Sequence, residues 1–131
     1  SRLIFQGGTC HTQHLMAHNA VDISLDPMPY SGGLCTLESL YMGVPVVALA
    51  GQLLCHRHSV TRLHQVNAND LIGHSIEEYV NIAVDLANDR NRIDKYRETL
   101  RNKLLNSALC NHKKFTQCFV DQIKKAAMKA A

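Results

Sequence analysis

No apolar run in this sequence approaches the roughly 18–20 residues that a membrane-spanning helix needs. The opening Ser1-Arg2-Leu3 has no charged segment leading into a long apolar stretch, so no secretory leader is expected. C-x-x-C and His-Glu-x-x-His are both missing, and these are the spacings from which zinc sites are usually read. Without G-x-G-x-x-G or a Walker loop, neither a dinucleotide site nor a P-loop ATPase follows. No internal repeat, low-complexity tract or linker divides the chain. An initiating methionine is also absent, which raises the expectation of a piece of a longer protein.

What is present suits one folded domain. The 131 residues are 46% hydrophobic with a formal net charge of +3. Disordered chains combine few apolar residues with high net charge, and single domains peak at roughly 100–150 residues. Five cysteines (Cys10, Cys35, Cys55, Cys110, Cys118) form an odd, irregularly spaced set. Scattered thiols of this kind fit a cytoplasmic protein better than a secreted disulfide framework. Residues 1–88 carry three Arg against seven acids, whereas residues 89–131 carry eleven Lys and Arg against four. Basic tails can bind nucleic acid. Here the charges fall on amphipathic patterns with few aromatics, and a solvated helix face is the preferred reading, with no nucleic acid partner.

The apolar periodicity predicts an α/β chain. Arg2–Gln6 reads as a buried strand ended by Gly7-Gly8, and His11–Ala20 as a short helix. Val21–Leu25 reads as a second strand stopped by Asp26-Pro27. Leu34–Met42 is a helix that Gly43 terminates. Pro45–Ala50 is a continuous apolar run suited to a parallel strand covered on both faces. Cys55–Val66 is predicted helical and Leu71-Ile72 a short strand. Ser75 and Glu78 form a capping box, followed by a helix with Ile76, Tyr79, Val80, Ala83 and Ala87 inward. Asp89 caps the next helix, which turns Ile93, Tyr96, Leu100 and Leu104 inward. Asn111 caps the last, with Phe115, Phe119, Ile123 and Ala126 or Ala127 inward. Strands alternating with helices imply a Rossmann-like parallel sheet with flanking helices and a helical C-terminus.

In such sheets ligands bind beyond the carboxyl ends of the strands. Two glycine-containing loops qualify, Gly7–His11 and Pro29–Gly33, each leading into a helix whose free N–H groups suit an anion. In Ser31-Gly32-Gly33-Leu34-Cys35-Thr36-Leu37-Glu38 the glycines admit a close ligand, and Glu38, one turn into the helix, could reach the hydroxyls of a ribose. The same residues also suit a plain turn, with Glu38 complementing the helix dipole, and spacing alone leaves both open. His14 and His18 stand at i, i+4, and Cys10, His11 and Cys55-His56-Arg57-His58 add further candidate metal ligands. A loop histidine is more often a surface group or a ring that stacks on a ligand.

Two blocks are distinctive: Asp22-Ile23-Ser24-Leu25-Asp26-Pro27-Met28-Pro29-Tyr30-Ser31-Gly32 and Glu38-Ser39-Leu40-Tyr41-Met42-Gly43-Val44-Pro45-Val46-Val47. They resemble the C-terminal half of the catalytic region of O-linked N-acetylglucosamine transferases and SPINDLY-type proteins. The resemblance continues through Ala50-Gly51, Arg57, Leu71-Ile72, Glu78-Tyr79-Val80, Ile82-Ala83, Leu86-Ala87, Leu100-Arg101 and Ser107, nearly the whole chain. It implies the C-terminal half of a GT-B glycosyltransferase of family 41, with residues 1–131 a single sugar-nucleotide-binding domain within a larger enzyme. The donor would be UDP-N-acetylglucosamine and the acceptors Ser/Thr hydroxyls of proteins. SPINDLY-type relatives use a guanosine diphosphate sugar, which leaves the base open.

The resemblance also distributes roles. It stacks the His14 ring on the base within the His11–His14 stretch, sets backbone groups near Thr9 at the base edge, and gives Glu38 the ribose. Gly32, Gly33, Leu34, Cys35 and Thr36, preceded by Ser31, match the loop that holds the diphosphate. The catalytic residues and the other cleft wall would lie in an N-terminal half. No metal is implied, and the sequence has no Asp-x-Asp. The family loop is typically threonine-rich or carries His-Thr-Thr, whereas here only Thr36 keeps a hydroxyl among the residues that follow Gly32. Phosphate binding would then rest on backbone N–H groups and the helix dipole. The glycine spacing near Arg57 is altered too, with His58 and Ser59 in its place. Two alternatives remain: a degenerate, non-catalytic nucleotide-binding or interaction module, and a metal-binding domain built on the His/Cys excess.

Overall fold

The computed structural model describes residues 3–130. Its centre is the apolar run Val46–Leu49 (β2), in which all four residues are buried. A strand covered on both faces needs apolar side chains in both directions, and this run supplies them. Ser24–Leu25 (β1) lies parallel on one side, with Ser24 opposite Val46. Ile72–Gly73 (β3) lies parallel on the other, with Ala48 opposite Ile72. The sheet order is therefore β1-β2-β3.

Among the described residues six α-helices accompany the sheet: His11–Ala17 (α1), Leu34–Tyr41 (α2), His58–Gln65 (α3), Ile76–Asn88 (α4), Arg90–Leu105 (α5) and His112–Ala130 (α6). Helix α2 connects β1 to β2, and α3 connects β2 to β3. Leu40 from α2, Val60 and Leu63 from α3, Leu86 from α4, and Ile93, Leu100 and Leu104 from α5 enter one core with β2. Each contributes about 1.5–3 kcal/mol by leaving water.

The turn after α2 shows why its glycine is required. Gly43 has φ +78°, and a Cβ there would sit 2.8 Å from the carbonyl oxygen of Arg97. Helix α2 therefore stops and the chain enters β2 directly beneath α5. The helix starts follow the sequence. Ser75 Oγ accepts from the Glu78 N–H at 3.1 Å, Asp89 Oδ1 from Arg92 N–H at 3.0 Å, and Asn111 Oδ1 from Lys114 N–H at 3.0 Å. The Glu78 carboxylate reaches back to the His74 N–H at 2.7 Å, one residue earlier than a standard capping box.

Four expectations are corrected. Residues 3–10 form no strand, and Ile4 and Phe5 are almost wholly exposed; Arg2 lies outside the described residues. Its apolar pattern alone does not make it a strand. The predicted Cys55–Val66 helix is two pieces, a 3-10 turn at Leu54–His56 and then α3, separated at Arg57. On α4 the inward face is Tyr79, Ile82, Ala83 and Leu86, while Ile76, Val80 and Ala87 face solvent. Apolar residues surround this helix on several sides, so two stripes satisfied the same periodicity. On α6, Phe115, Phe119 and Ile123 are more than half exposed, with the two Phe rings stacked at 5.9 Å.

Candidate functional site

The carboxyl ends of the parallel strands meet the starts of α2 and α3, where the two distinctive sequence blocks converge. β1 ends at Leu25, and Asp26 follows, its N–H bonded to the Val47 carbonyl at 2.9 Å. The chain then passes through the cis Met28–Pro29 peptide and Tyr30 before turning into α2 at Gly33. Among the described residues no side chain caps α2. The first N–H groups of a helix have no intrahelical partners and carry the positive end of its dipole. Leu34 and Cys35 at that start are exposed.

Glu38 stands one turn further in. Its Oε1 lies 2.8 Å from His11 Nε2, and its Oε2 lies 3.4 Å from His14 Nε2. Residues 27 positions apart in sequence are thus joined through one carboxylate, because the His11 and His14 side chains of α1 reach Glu38 on α2. The Glu38 side chain is mostly covered, whereas His11 and His14 are open to solvent. The His14 ring is itself held edge-on by His18 at 5.1 Å, and His18 Nε2 is 3.2 Å from Ser39 Oγ. A carboxylate beside exposed imidazoles, next to an open helix start, can take ribose hydroxyls and a stacked base beside a bound phosphate. A cavity of about 380 Å³ adjoins it, lined by apolar side chains including Leu15, Leu34, Leu37 and Tyr41.

The structure sorts the expected site residues. His11, His14 and Glu38 meet between α1 and α2, and Thr9 is exposed in the loop before α1. Gly32, Gly33, Leu34 and Cys35 form the loop and the helix start. Ser31 and Thr36 are buried, and both hydroxyls point inward. Ser31 Oγ donates to Asp26 Oδ2 at 2.8 Å, and Thr36 Oγ1 is 2.7 Å from Ser59 Oγ. The Gly32 N–H is engaged as well, donating to Asp26 Oδ1 at 2.7 Å.

Sequence reading missed Asp26, Ser59 and Tyr79. Asp26 accepts at both carboxylate oxygens, and its carbonyl accepts from the Tyr79 hydroxyl at 3.1 Å. Burial and the nearby negative charge of Asp26 raise the Tyr79 pKa, so the phenol stays a donor. The one signal was an aspartate at the end of an apolar strand, immediately before a proline. Among the described residues no cluster of three or more His, Cys, Asp or Glu side chains is arranged to hold a metal ion.

A second cavity, of about 320 Å³, lies beside α5. There Asp70 accepts from Arg92 at 2.5 Å and from the Tyr96 hydroxyl at 2.7 and 2.8 Å. Burial opposes the charged carboxylate, but the Tyr96 and Arg92 hydrogen bonds and the Arg92 charge outweigh it, and the Asp70 pKa is lowered. None of the expected site residues lines this cavity.

Comparison with known proteins supplies the lineage. The sequence profile described as glycosyl transferase family 41 matches residues 1–119. Over 102 residues the chain is 42% identical to a probable UDP-N-acetylglucosamine–peptide N-acetylglucosaminyltransferase SPINDLY of Arabidopsis thaliana, covering 78% of this chain and 11% of that protein. The protein of the same description in Hordeum vulgare is 40% identical over 104 residues, covering 79% and 11%. A solved structure of a mutant Thermobaculum terrenum O-GlcNAc transferase superimposes with a TM-score of 0.90 at 33% identity, covering 99% of this chain and 26% of that one. The chain thus spans about a tenth of the length of these SPINDLY relatives. On this profile match and these identities, the chain belongs to glycosyltransferase family 41.

Proposed function

We propose that the chain is the donor-binding domain of a glycosyltransferase that moves N-acetylglucosamine from UDP-N-acetylglucosamine to Ser/Thr hydroxyls of proteins. The observation that carries it is the meeting of Glu38 with His11 and His14 beside the uncapped start of α2. Glu38 binds the ribose hydroxyls. His14 stacks on the base, and the backbone near Thr9 and His11 reads its edge. The loop from Gly32 to Thr36 and the α2 dipole take the diphosphate through the N–H groups that Asp26 leaves free, with Leu34 and Cys35 contributing N–H groups rather than side chains. As the glycosidic bond to the leaving phosphate breaks, negative charge grows on the diphosphate, and fixed N–H dipoles stabilise it without reorganising. An N-terminal half of the same enzyme supplies the opposite wall, the protein acceptor and the catalytic groups. The similarity to UDP-N-acetylglucosamine–peptide transferases supports a UDP-linked donor. A GDP sugar is tested in parallel.

The test is calorimetric titration of the intact protein with UDP and with GDP. Glu38→Ala and His14→Ala are each expected to weaken binding by about tenfold or more, as loss of a charged hydrogen bond or a stacked ring does. Absence of binding to either diphosphate, or undiminished binding by both variants, overturns the assignment. A second reading, a non-catalytic nucleotide-binding module, has one observation in its favour: Leu34 and Cys35 carry no hydroxyl, and those of Ser31 and Thr36 are turned inward. Sugar transfer to a protein acceptor by the intact enzyme decides between the two.

A further inference from the structure

Asp26 is a buried carboxylate, 6% exposed, and among the described residues it has no cationic partner. A buried charge without a counter-ion is costly unless hydrogen bonds and dipoles replace the counter-ion. Here they do. Oδ2 accepts from Ser31 Oγ at 2.8 Å, and Oδ1 accepts from the Gly32 N–H at 2.7 Å and from Ser59 Oγ at 2.8 Å. Ser59 in turn can take the Thr36 hydroxyl proton at 2.7 Å, while its own N–H donates to Ser31 Oγ at 2.9 Å. One self-consistent set of protons satisfies the whole group with Asp26 as acceptor throughout: Thr36 to Ser59 to Asp26, and Ser31 to Asp26. Ser31, Thr36 and Ser59 are all buried.

These donors come from three places. Ser31 and Gly32 belong to the loop, Thr36 to the first turn of α2, and Ser59 to the first turn of α3. Two helix N-termini therefore meet at one carboxylate, and their dipoles favour its negative charge. Gly32 is part of the design. A Cβ there would lie 2.6 Å from Thr36 Oγ1 and 3.0 Å from Asp26 Oδ1, so any other residue would push the network apart. The network leaves the outer N–H groups of the α2 start unclaimed while fixing where they point.

We propose that Asp26, acting through Ser31, Gly32, Ser59 and Thr36, is the positioning residue of the diphosphate loop, a role that rests on the donor-site assignment above. Ser59 is its partner in that task, linking the start of α3 to the start of α2. The loop lacks outward hydroxyls, so its affinity for a diphosphate depends on the fixed direction of its backbone N–H groups, and Asp26 provides that direction. Neither Asp26 nor Ser59 touches the donor.

The test compares a diphosphate with its nucleoside. UDP and GDP are titrated by calorimetry, and uridine and guanosine by NMR, into the intact protein and into Asp26→Asn and Ser59→Ala. Circular dichroism and thermal melting verify that each variant is folded. Removing a negative charge near the loop would by itself strengthen anion binding. A fall in diphosphate affinity in Asp26→Asn therefore reports lost position. Each variant is expected to bind the diphosphate about tenfold or more weakly, the size of a lost buried hydrogen bond, with nucleoside affinity within about twofold of the parent. Unchanged or tighter diphosphate binding overturns the role, as does an equal loss for diphosphate and nucleoside. If Asp26→Asn does not fold, Ser59→Ala alone decides. Failure of the parent to bind any diphosphate refutes the donor-site assignment instead, a result separable from the first.

Discussion

Two aspartates, Asp70 and Asp26, are held in opposite ways. Asp70 is half exposed and answered by a full positive charge, Arg92, with Tyr96 bonded to both oxygens. Asp26 is buried and answered only by hydroxyls, one amide and two helix starts. The first arrangement neutralises a charge and ties the start of β3 to α5. The second holds a loop in one direction and spends no cation on doing so. A cation placed at Asp26 would stand beside the α2 start and could itself compete for a phosphate. An arrangement of neutral donors keeps the loop rigid and leaves the anion to the helix end.

The difference should appear first as stability. Asp26→Ala removes the acceptor of two hydroxyls and an amide and is expected to cost about 3–5 kcal/mol. Asp70→Ala, at a half-exposed pair, should cost about 1 kcal/mol. Urea denaturation of both variants measures this, and equal losses would break the contrast. Next in size, Tyr96→Phe removes the hydroxyl on Asp70 while leaving the ring packed, for an expected loss of about 1 kcal/mol.

The smallest effect is the pH dependence. The folded pKa of Asp70 is lowered, so its contribution is present above its unfolded value near 4 and is lost as pH falls through the folded value. Tyr96 behaves in the opposite direction. Burial and the Asp70 hydrogen bond raise its pKa, so its contribution holds below about 10 and is lost as pH rises through the folded value. Stability measured from pH 2 to 6 should slope less in Asp70→Asn than in the parent. An unchanged slope would remove Asp70 from the account.

The legibility of the sequence divides along the same line. β2, α2 with its Gly43 stop, and the caps at Ser75, Asp89 and Asn111 were readable, because each is set by neighbours within a few residues. The pairing of Glu38 with the α1 histidines was anticipated only as shared membership of a site. That they touch is a fact of tertiary packing. Asp26 and Ser59 are 33 residues apart and carry no local pattern, so nothing in the sequence joined them. The apolar stripe of α6 was read correctly as a stripe and wrongly as buried. Periodicity says that a face would gain from cover, not that this segment supplies it. The same holds for Leu3–Phe5, whose strand pattern is not realised as a strand.

The most direct test of the central claim is titration of UDP and GDP into the intact protein beside its Glu38→Ala variant. Saturable binding of one diphosphate, lowered about tenfold or more by the substitution, is the expected result. Binding that Glu38→Ala leaves unchanged would contradict the assignment of the ribose to Glu38 and of the donor to the start of α2.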